Sequence, residues 1–562
     1  MSKAEYKVPD NRPWIKMYND YVPESLEYYD EPLFYLIDRV AQESPEKIAL
    51  NYFGTDISYG EYEELINKFA HALQLSGIQK GDKILIMAIN CPQSLIALFG
   101  SMKAGAIPVP LNPLYTAKEL EYFFNDLKPR MVLTPDIFYK NVSEAAKTTP
   151  QIEKIISTNI SDYFPPIKKF LARLLKKVPV VECPQSTNFK DFIDVSSDFE
   201  KVEIDPKKDL SLMVYTGGTT GEPKGVCLTH FNIMANTVAM DNWFKDLKVE
   251  SGILVVPLFH IYGCGPIVNF VNIRGGKLVI QPKFNTIETL KLLQKEKVNG
   301  LFCVPAIYSA FVKYYQEHPN EPKLTDVTFC ASGSTSISSY VWKNMQNIVP
   351  NSYFVEGYGL SETCPGVIMD PAKPSYEKEM DSVGIPMPDI DAKIIDLETG
   401  KDLPPNTSGQ VIIKGPSVFV GYWNKDEKTK KALRDGWFYT GDIGRMNKEG
   451  VFFIEGRMDD MINVRGEKVW PREVEQVLEK NSKILDVAVI GVKDDFYGQA
   501  IKACVVLKDG VDSSEKELID YCKESLVSHK APHVVEFFKE LPKSNIGKTL
   551  HSELRKRENN KK

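Results

Sequence analysis

Short, nearly continuous apolar runs alternate with helical patterns through the first two thirds of the chain. KILIMAI (83–89) precedes a helical stretch near Ser94–Lys103, and AIPVPL (106–111) follows it. Strands covered on both faces need apolar residues on both sides. The alternation therefore predicts α/β units on largely parallel, buried sheets. The pattern changes near 456–460. GWFYTGDIGRMNKEGVFFIEG, before it, reads as turn-rich β structure. After it, DVAVIGV and IKACVVLK frame a compact pattern with helices expected at Pro471–Lys480 and Ser514–Val527. Pro471 followed by Glu473 suits a first helical turn, which needs no amide donor at that place and favours negative charge. The predicted class is α/β. A large domain over 1–457 holds α/β subdomains plus a β-rich part, and a small α+β domain covers 458–562.

Two segments break the pattern. Ser251 to Ile273 carries no charge and is long enough to span a bilayer, but Pro257, Gly263, Gly265 and Pro266 interrupt it. The breakers split it into a short buried strand (GILVVP) and a separate helical piece lining a pocket, with a transmembrane span as the minor alternative. The other segment is IKKFLARLLKKV. It sets Ile167, Phe170, Leu171, Leu174, Leu175 and Val178 on one helical face and Lys168, Lys169, Arg173, Lys176 and Lys177 on the rest. A surface helix docked on its own protein is the first reading. Reversible contact with an anionic membrane over 166–178 is the second.

Composition narrows the class without naming it. At ~150 residues per domain, 562 residues amount to three or four domains' worth of chain. The net charge of −6 lends no general support to nucleic-acid binding. Nine scattered cysteines with no C-x-x-C pair exclude a disulfide scaffold and a zinc knuckle by spacing. Reduced cysteines and a start without an apolar run (MSKAEYKVPDNRPW) predict a cytoplasmic protein.

The strongest local chemistry is YTGGTTGEPKG (215–225), which follows the apolar run LSLMVY. Glycines let backbone N–H groups approach an anion, the threonine hydroxyls add donors, and Lys224 adds positive charge. It is not a Walker A loop, because Glu222 stands where that motif needs Lys after Gly221. A second Gly-Lys-Thr at 547–549 fails too, with Pro542 five places before its glycine.

These residues resemble the phosphate loop T-S-G-T-T-G-x-P-K-G of the acyl-adenylate-forming superfamily of acyl-CoA synthetases, luciferases and adenylation domains. Gly217 replaces the usual Ser. PLFHIYG (257–263), YGLSET (358–363), YTGD (439–442), GRMDDMINVRGEKVWPREVE (456–475) and PKSNIGK (542–548) follow in the family's order, so the likeness covers nearly the whole chain. It implies that Thr216, Gly217, Gly218, Thr219, Thr220, Gly221 and Lys224 cradle the ATP phosphates. Gly333 and Ser334, in ASGSTS, lie on the adenine side with Glu356, Gly357, Tyr358, Gly359 and Ser361. Tyr358 stacks on adenine unless it is a core tyrosine. Glu362 is the magnesium ligand, a carboxylate placed where the triphosphate supplies further oxygens.

Asp442, read as lying in a tight turn, accepts from the ribose hydroxyls in this likeness, and Arg457 holds ribose or phosphate opposite it. Lys548 is the expected catalytic lysine: an ammonium between two approaching anions offsets their repulsion and stabilises the developing charge. The resemblance also makes the small domain mobile. Asp459 is its hinge, and a second orientation presents Gly466 and Glu467 to CoA and brings Lys468 toward the nucleotide.

The substrate reading starts from an absence in the sequence. Ser251 to Ile273 holds no acid to pair with an amino-acid ammonium, so a carboxylic acid with an apolar tail is favoured. His260 shields the acyl carboxylate, gates the thiol, or is a packed core histidine. The insert at 158–181 resembles long-chain fatty-acyl-CoA ligases. The expected reaction consumes ATP, Mg²⁺ and CoA and turns a medium- or long-chain fatty acid into acyl-AMP and then acyl-CoA. The alternatives are an acyl-AMP ligase serving a carrier protein, an aryl (4-coumarate-like) CoA ligase, and a nucleotide- or fatty-acid-binding regulator. The expected partners are small molecules and, through 166–178, the inner face of a membrane. The oligomeric state, a homodimer included, stays open.

Overall fold

The computed structural model describes residues 12–175, 177–216, 222–371, 373, 376–465, 467–494, 497–544 and 547–561. Its organising feature is one fourteen-stranded sheet with two characters. From Ile48–Tyr52 through Lys277–Ile280, Ser251–Leu254, Gly300–Cys303 and Phe329–Ser332 to Tyr353–Tyr358, neighbouring strands run parallel. Beyond Tyr353–Tyr358 the pairing is antiparallel through Ile368–Met369, Ser382–Pro386, Phe452–Arg457, Trp437–Met446, Gly409–Lys414 and Asp391–Ile395. The predicted α/β and β-rich parts are thus two halves of one sheet. The strand carrying Glu356 and Tyr358 joins them.

A second sheet is parallel throughout, in the order Ile107–Leu111, Lys83–Met87, Met131–Pro135, Lys154–Thr158, Thr187–Asn188. KILIM is buried except at Lys83, and IPVPL is buried throughout, as two-sided coverage requires. The helix Pro92–Lys103 between them starts with proline in its first turn and is buried along its whole length.

The charge-free segment behaves as its breakers predict. Ser251–Leu254 is a fully buried strand, Gly263–Ile267 is a wide helical turn containing Pro266, and Val268–Ile273 is a short buried helix. Among the described residues, no helix is long and apolar enough to cross a membrane.

The expectation for the basic segment is overturned in part. Pro166–Leu174 is a helix, but none of its residues is buried. Its apolar face is not docked on the body. The sequence periodicity identified the face but carried no information on what covers it.

The C-terminal part has its own core. The principal core ends at Phe453, and a separate one begins at Ile462 and runs to Val535. Its five-stranded sheet orders Glu467–Val469, Ile462–Val464, Gly498–Leu507 and Ile484–Asp494, with Val534–Phe537 pairing on Gly498–Leu507. The helices Pro471–Glu479 and Glu515–Ser525 fall where the sequence puts them.

Candidate active site

The nucleotide-loop hairpin pairs Leu210–Thr216 with Lys224–Thr229, and Thr216 stands opposite Lys224. Gly217, Gly218, Thr219, Thr220 and Gly221, the centre of the expected phosphate cradle, lie outside the described residues, as does Gly466. The returning strand feeds the helix His230–Trp243, whose first turn is capped by the Thr229 side chain. Gly421–Tyr422 pairs along the outer edge of the hairpin and puts an aromatic ring beside Lys224. The Lys224 ammonium lies 4.6 Å from the centroid of Tyr422. Burial lowers the Lys224 pKa, and the Glu362 carboxylate opposes that shift.

Glu362 sits in the single helical turn Ser361–Thr363 and is buried. Its Oε1 accepts a hydrogen bond from the Tyr422 hydroxyl at 2.8 Å, and its backbone carbonyl accepts from Phe419 N–H at 2.8 Å. Gly359, just before this turn, admits no side chain: a Cβ there would come within 1.3 Å of the Pro365 carbonyl oxygen.

The end of the Tyr353–Tyr358 strand forms a second wall. Tyr358 donates to Asp442 Oδ2 at 2.6 Å, and Arg457 meets Asp442 Oδ1 at 2.9 Å. Asp442 is buried, whereas Arg457 is partly exposed. The expected tight turn around Asp442 is not there. Asp442 lies within the strand Trp437–Met446, directly across the ladder from Arg457. Gly441, at φ +74°, lies where the ladder with Gly409–Lys414 shifts register, and the pairing with Phe452–Arg457 begins just after it, at Asp442. Burial and the neighbouring Asp442 carboxylate push the Tyr358 phenol well above its ordinary value.

Gly333 and Ser334 follow the Phe329–Ser332 strand, and Ser334 adopts φ +80°. A Cβ on Gly333 would lie 3.8 Å from both the Gly357 carbonyl oxygen and the Tyr262 ring, so these three groups face one another. Glu356 is turned the other way. Its Oε1 accepts from Ile337 N–H at 3.1 Å, and Lys378 lies 3.3 Å from Oε2. Lys378 also holds Asp370 at 2.8 Å. Burial raises the Glu356 pKa to about 7. Its carboxylate therefore braces the 333–337 loop from behind, and Lys378 and Asp370 complete that brace.

The small domain delivers Lys548 to this place. Lys548 N–H donates to Ser544 Oγ at 3.1 Å, and Ser544 N–H donates to the Lys548 carbonyl at 2.8 Å, closing a compact loop. Gly547, at φ +76°, packs so tightly that a Cβ would lie 2.6 Å from Ala306 on the helix Pro305–Glu317 of the large body. Burial and the nearby Arg457 cation lower the Lys548 pKa, and the Asp442 and Asp460 carboxylates oppose that shift. His260 is close enough to feel Lys548. Burial first, and then that ammonium, lower its pKa to about 4. His260 is therefore neutral near pH 7, and its Nδ1 accepts from Tyr262 N–H at 3.3 Å.

Asp459 lies in the one-turn helix Met458–Asp460 between the two cores, and Asp460 is paired with Arg555 at 2.6 Å. Glu467 and Lys468 are not part of the cluster. They are the exposed residues of the strand Glu467–Val469, and Lys468 is 3.8 Å from Glu398 of the β-rich part. The structure thus brings Lys548, Asp442, Arg457, Tyr358, Glu362, Lys224 and His260 toward one region and leaves Lys468 outside it. Sequence reasoning missed Tyr422, Tyr262 and Lys378. GYW (421–423) places Tyr422 directly after a glycine, but only the tertiary fold tells it from a core aromatic.

Known proteins resemble this chain over nearly its whole length. Residues 37–423 match the model for the AMP-binding enzyme family, and residues 473–548 match that for the AMP-binding enzyme C-terminal domain. A long-chain-fatty-acid–CoA ligase of Bacillus subtilis (strain 168) is 37% identical, covering 97% of both chains. The protein of that name from Escherichia coli O6:H1 is 31% identical over 96% of this chain and 97% of its own. Among solved structures, ATP-bound MatB from Rhodopseudomonas palustris superposes with a TM-score of 0.82 at 25% identity, covering 94% of this chain and 99% of that one.

Proposed function

The chain belongs to the AMP-binding enzyme family, and from that premise we propose that it is a long-chain fatty-acyl-CoA ligase. It is an AMP-forming acid–thiol ligase whose substrates are ATP, CoA and a fatty acid. The observation that carries the reading is the meeting of Lys548 from the small domain with Asp442, Arg457, Glu362 and Lys224 of the large one. The end-to-end likeness to fatty-acid–CoA ligases supports the acyl class.

In the first half-reaction a carboxylate oxygen attacks the α-phosphorus. The bond to the β-phosphate oxygen breaks, and acyl-AMP and pyrophosphate form. Lys548 stands between the two anions, where its ammonium stabilises the charge gathering on the α-phosphate. Asp442 holds the ribose hydroxyls, and Arg457 and Tyr358 fix that carboxylate in place. Neutral His260 faces the acyl carboxylate without adding a competing charge. Lys224, with Thr216 and residues 217–221, takes the triphosphate.

Mg²⁺ fits here through Glu362. No group of three or more metal-ligating side chains occurs among the described residues. One buried carboxylate completed by phosphate oxygens and waters is what Mg²⁺ accepts. When bound, the ion neutralises charge on the triphosphate.

In the second half-reaction the CoA thiolate attacks the acyl carbonyl. A C–S bond forms, the C–O bond to AMP breaks, and the thiol proton passes to solvent. We place the domain boundary at 457/458 and the hinge at Asp459. Rotation about it withdraws Lys548 and presents Gly466, Glu467 and Lys468 to this step. The protein works in the cytoplasm, peripherally at the inner face of a membrane.

The test is CoA-dependent AMP release across carboxylic acids of increasing length. An optimum among medium- to long-chain acids is expected, with long chains favoured. An optimum at acetate or an aryl acid such as coumarate overturns the fatty-acid assignment. AMP release that needs a holo-carrier protein instead of CoA overturns the acceptor.

A further inference from the structure

The loop that carries Lys548 runs directly into the helix His551–Asn559. Leu550 N–H donates to the Pro542 carbonyl at 2.8 Å and closes the loop at its base. Leu550 is also the residue before the helix, and its side chain has no group to cap the first turn. The helix start is fastened by another residue. His551 Nε2 lies 2.9 Å from Glu475 Oε1, on the helix Pro471–Glu479. The same oxygen accepts from Val489 N–H at 2.9 Å, which ties the pair to the strand Ile484–Asp494. One turn after His551, Arg555 reaches Asp460 at 2.6 Å. Residues four apart share a helix face, so both attachments lie on one side of the helix.

Charge makes the pair firm. Glu475 is buried, and a buried carboxylate needs a partner. The charged groups facing the pair are Arg472, 3.7 Å from Glu475, Asp460 of the hinge turn, and Arg555 on the helix of His551 itself. Burial works to lower the His551 pKa, but Glu475 and then Asp460 outweigh it and hold the imidazole above its ordinary value, against Arg555. Burial likewise works to raise Glu475, but His551, Arg472 and Val489 N–H hold it below its ordinary value. The two shifts agree on an imidazolium against a carboxylate.

We infer that His551 is a positioning residue for adenylation: with Glu475 it fixes the base of the loop that sets Lys548 against the reacting phosphate. It acts through Lys548, three positions before it in the chain. Glu475, Val489 and His551 all belong to the small domain, so the brace travels with that domain when it rotates. The inference rests on the two-step ligase reading.

The experiment approaches the pair from both sides in the full chain. His551→Asn puts in a shorter side chain that stops short of Glu475. Glu475→Gln removes the charge and keeps an acceptor for Val489 N–H. In each variant, kcat for palmitate-dependent ATP–pyrophosphate exchange should fall about tenfold or more, since a misplacement of about 1 Å costs on the order of a hundredfold. Thioester formation from supplied palmitoyl-AMP needs a folded small domain but not Lys548, and it should stay within a few-fold of the unaltered protein. The double variant should lose little more than either single one, as coupled partners do. Losses that multiply in the double variant, an equal fall in both half-reactions, or unmoved exchange in either variant overturns the inference. Unmoved variants of a protein that performs both steps leave the ligase reading standing, whereas an unaltered protein that forms no palmitoyl-AMP overturns both.

Discussion

Asp442 and Lys548 approach the same region, but they are held in different ways. Asp442 is part of the great sheet. It faces Arg457 across the ladder, receives the Tyr358 hydroxyl, and stands on a ten-residue strand paired on both sides. Moving it means breaking a sheet. Lys548 sits on a loop closed by two local hydrogen bonds, within a domain whose core is separate from the principal one. The loop reaches the body by close packing at Gly547 and Ala306. On the proposed reaction, Asp442, whose partner must stay put through both half-reactions, is in the sheet, and Lys548, which we propose serves only one of them, is on a loop of the separate small core.

The sharpest break of that contrast is Gly547→Val. The added side chain collides with Ala306 and strains a backbone at φ +76° while leaving Lys548 intact. A misplacement of about 1 Å costs on the order of a hundredfold in rate. Palmitate-dependent ATP–pyrophosphate exchange should fall by about that factor, and thioester formation from supplied palmitoyl-AMP should change little.

Tyr422→Phe probes the fixed side. It removes one hydrogen bond to the buried Glu362 carboxylate, worth about 1.5–3 kcal/mol. Adenylation should slow roughly tenfold to a hundredfold, the same energy as a rate factor, with a raised Mg²⁺ requirement and an unchanged KM for the fatty acid. An unchanged Mg²⁺ titration would separate Tyr422 from the metal site.

The brace behind the adenine-side loop should show in stability. Burial raises the Glu356 carboxylate from 4.5 to about 7 in the folded protein. The folded state therefore holds a proton that the unfolded chain releases between these values, and stability falls as pH rises through that window. Glu356→Gln, which keeps the acceptor for Ile337 N–H, should flatten the fall in Tm between about pH 4.5 and 7.

Lys468→Ala is the smallest expected change. The exposed pair with Glu398 is worth about 0–1 kcal/mol, so Tm and pyrophosphate exchange should barely move. A measurable loss should appear only in thioester formation. Loss in the first half-reaction instead would place Lys468 beside the nucleotide in the orientation seen here.

Much of this was legible before folding. Buried parallel strands announce themselves as unbroken apolar runs, and KILIM and IPVPL fell where they were read. The motif order marked Lys548, Asp442 and Glu362. The misses share one cause: each depends on what the fold puts against a residue. Asp442 looked like a turn because Gly441 breaks the apparent pattern, while the ladder partner that keeps it in a strand lies at Arg457. Tyr422 reaches Glu362 across sixty positions of sequence. The basic helix displayed its two faces, but sequence could not tell that the apolar one would stay uncovered.

The most direct test of a fixed face served by a removable lysine is to measure both half-reactions on one preparation of Lys548→Ala. ATP–pyrophosphate exchange with palmitate should drop by about a thousandfold, in line with removal of a group that stabilises developing charge. Palmitoyl-CoA formation from supplied palmitoyl-AMP and CoA should stay within a few-fold of the unaltered protein. An equal fall in both steps would contradict the account, since Lys548 would then belong permanently to the site.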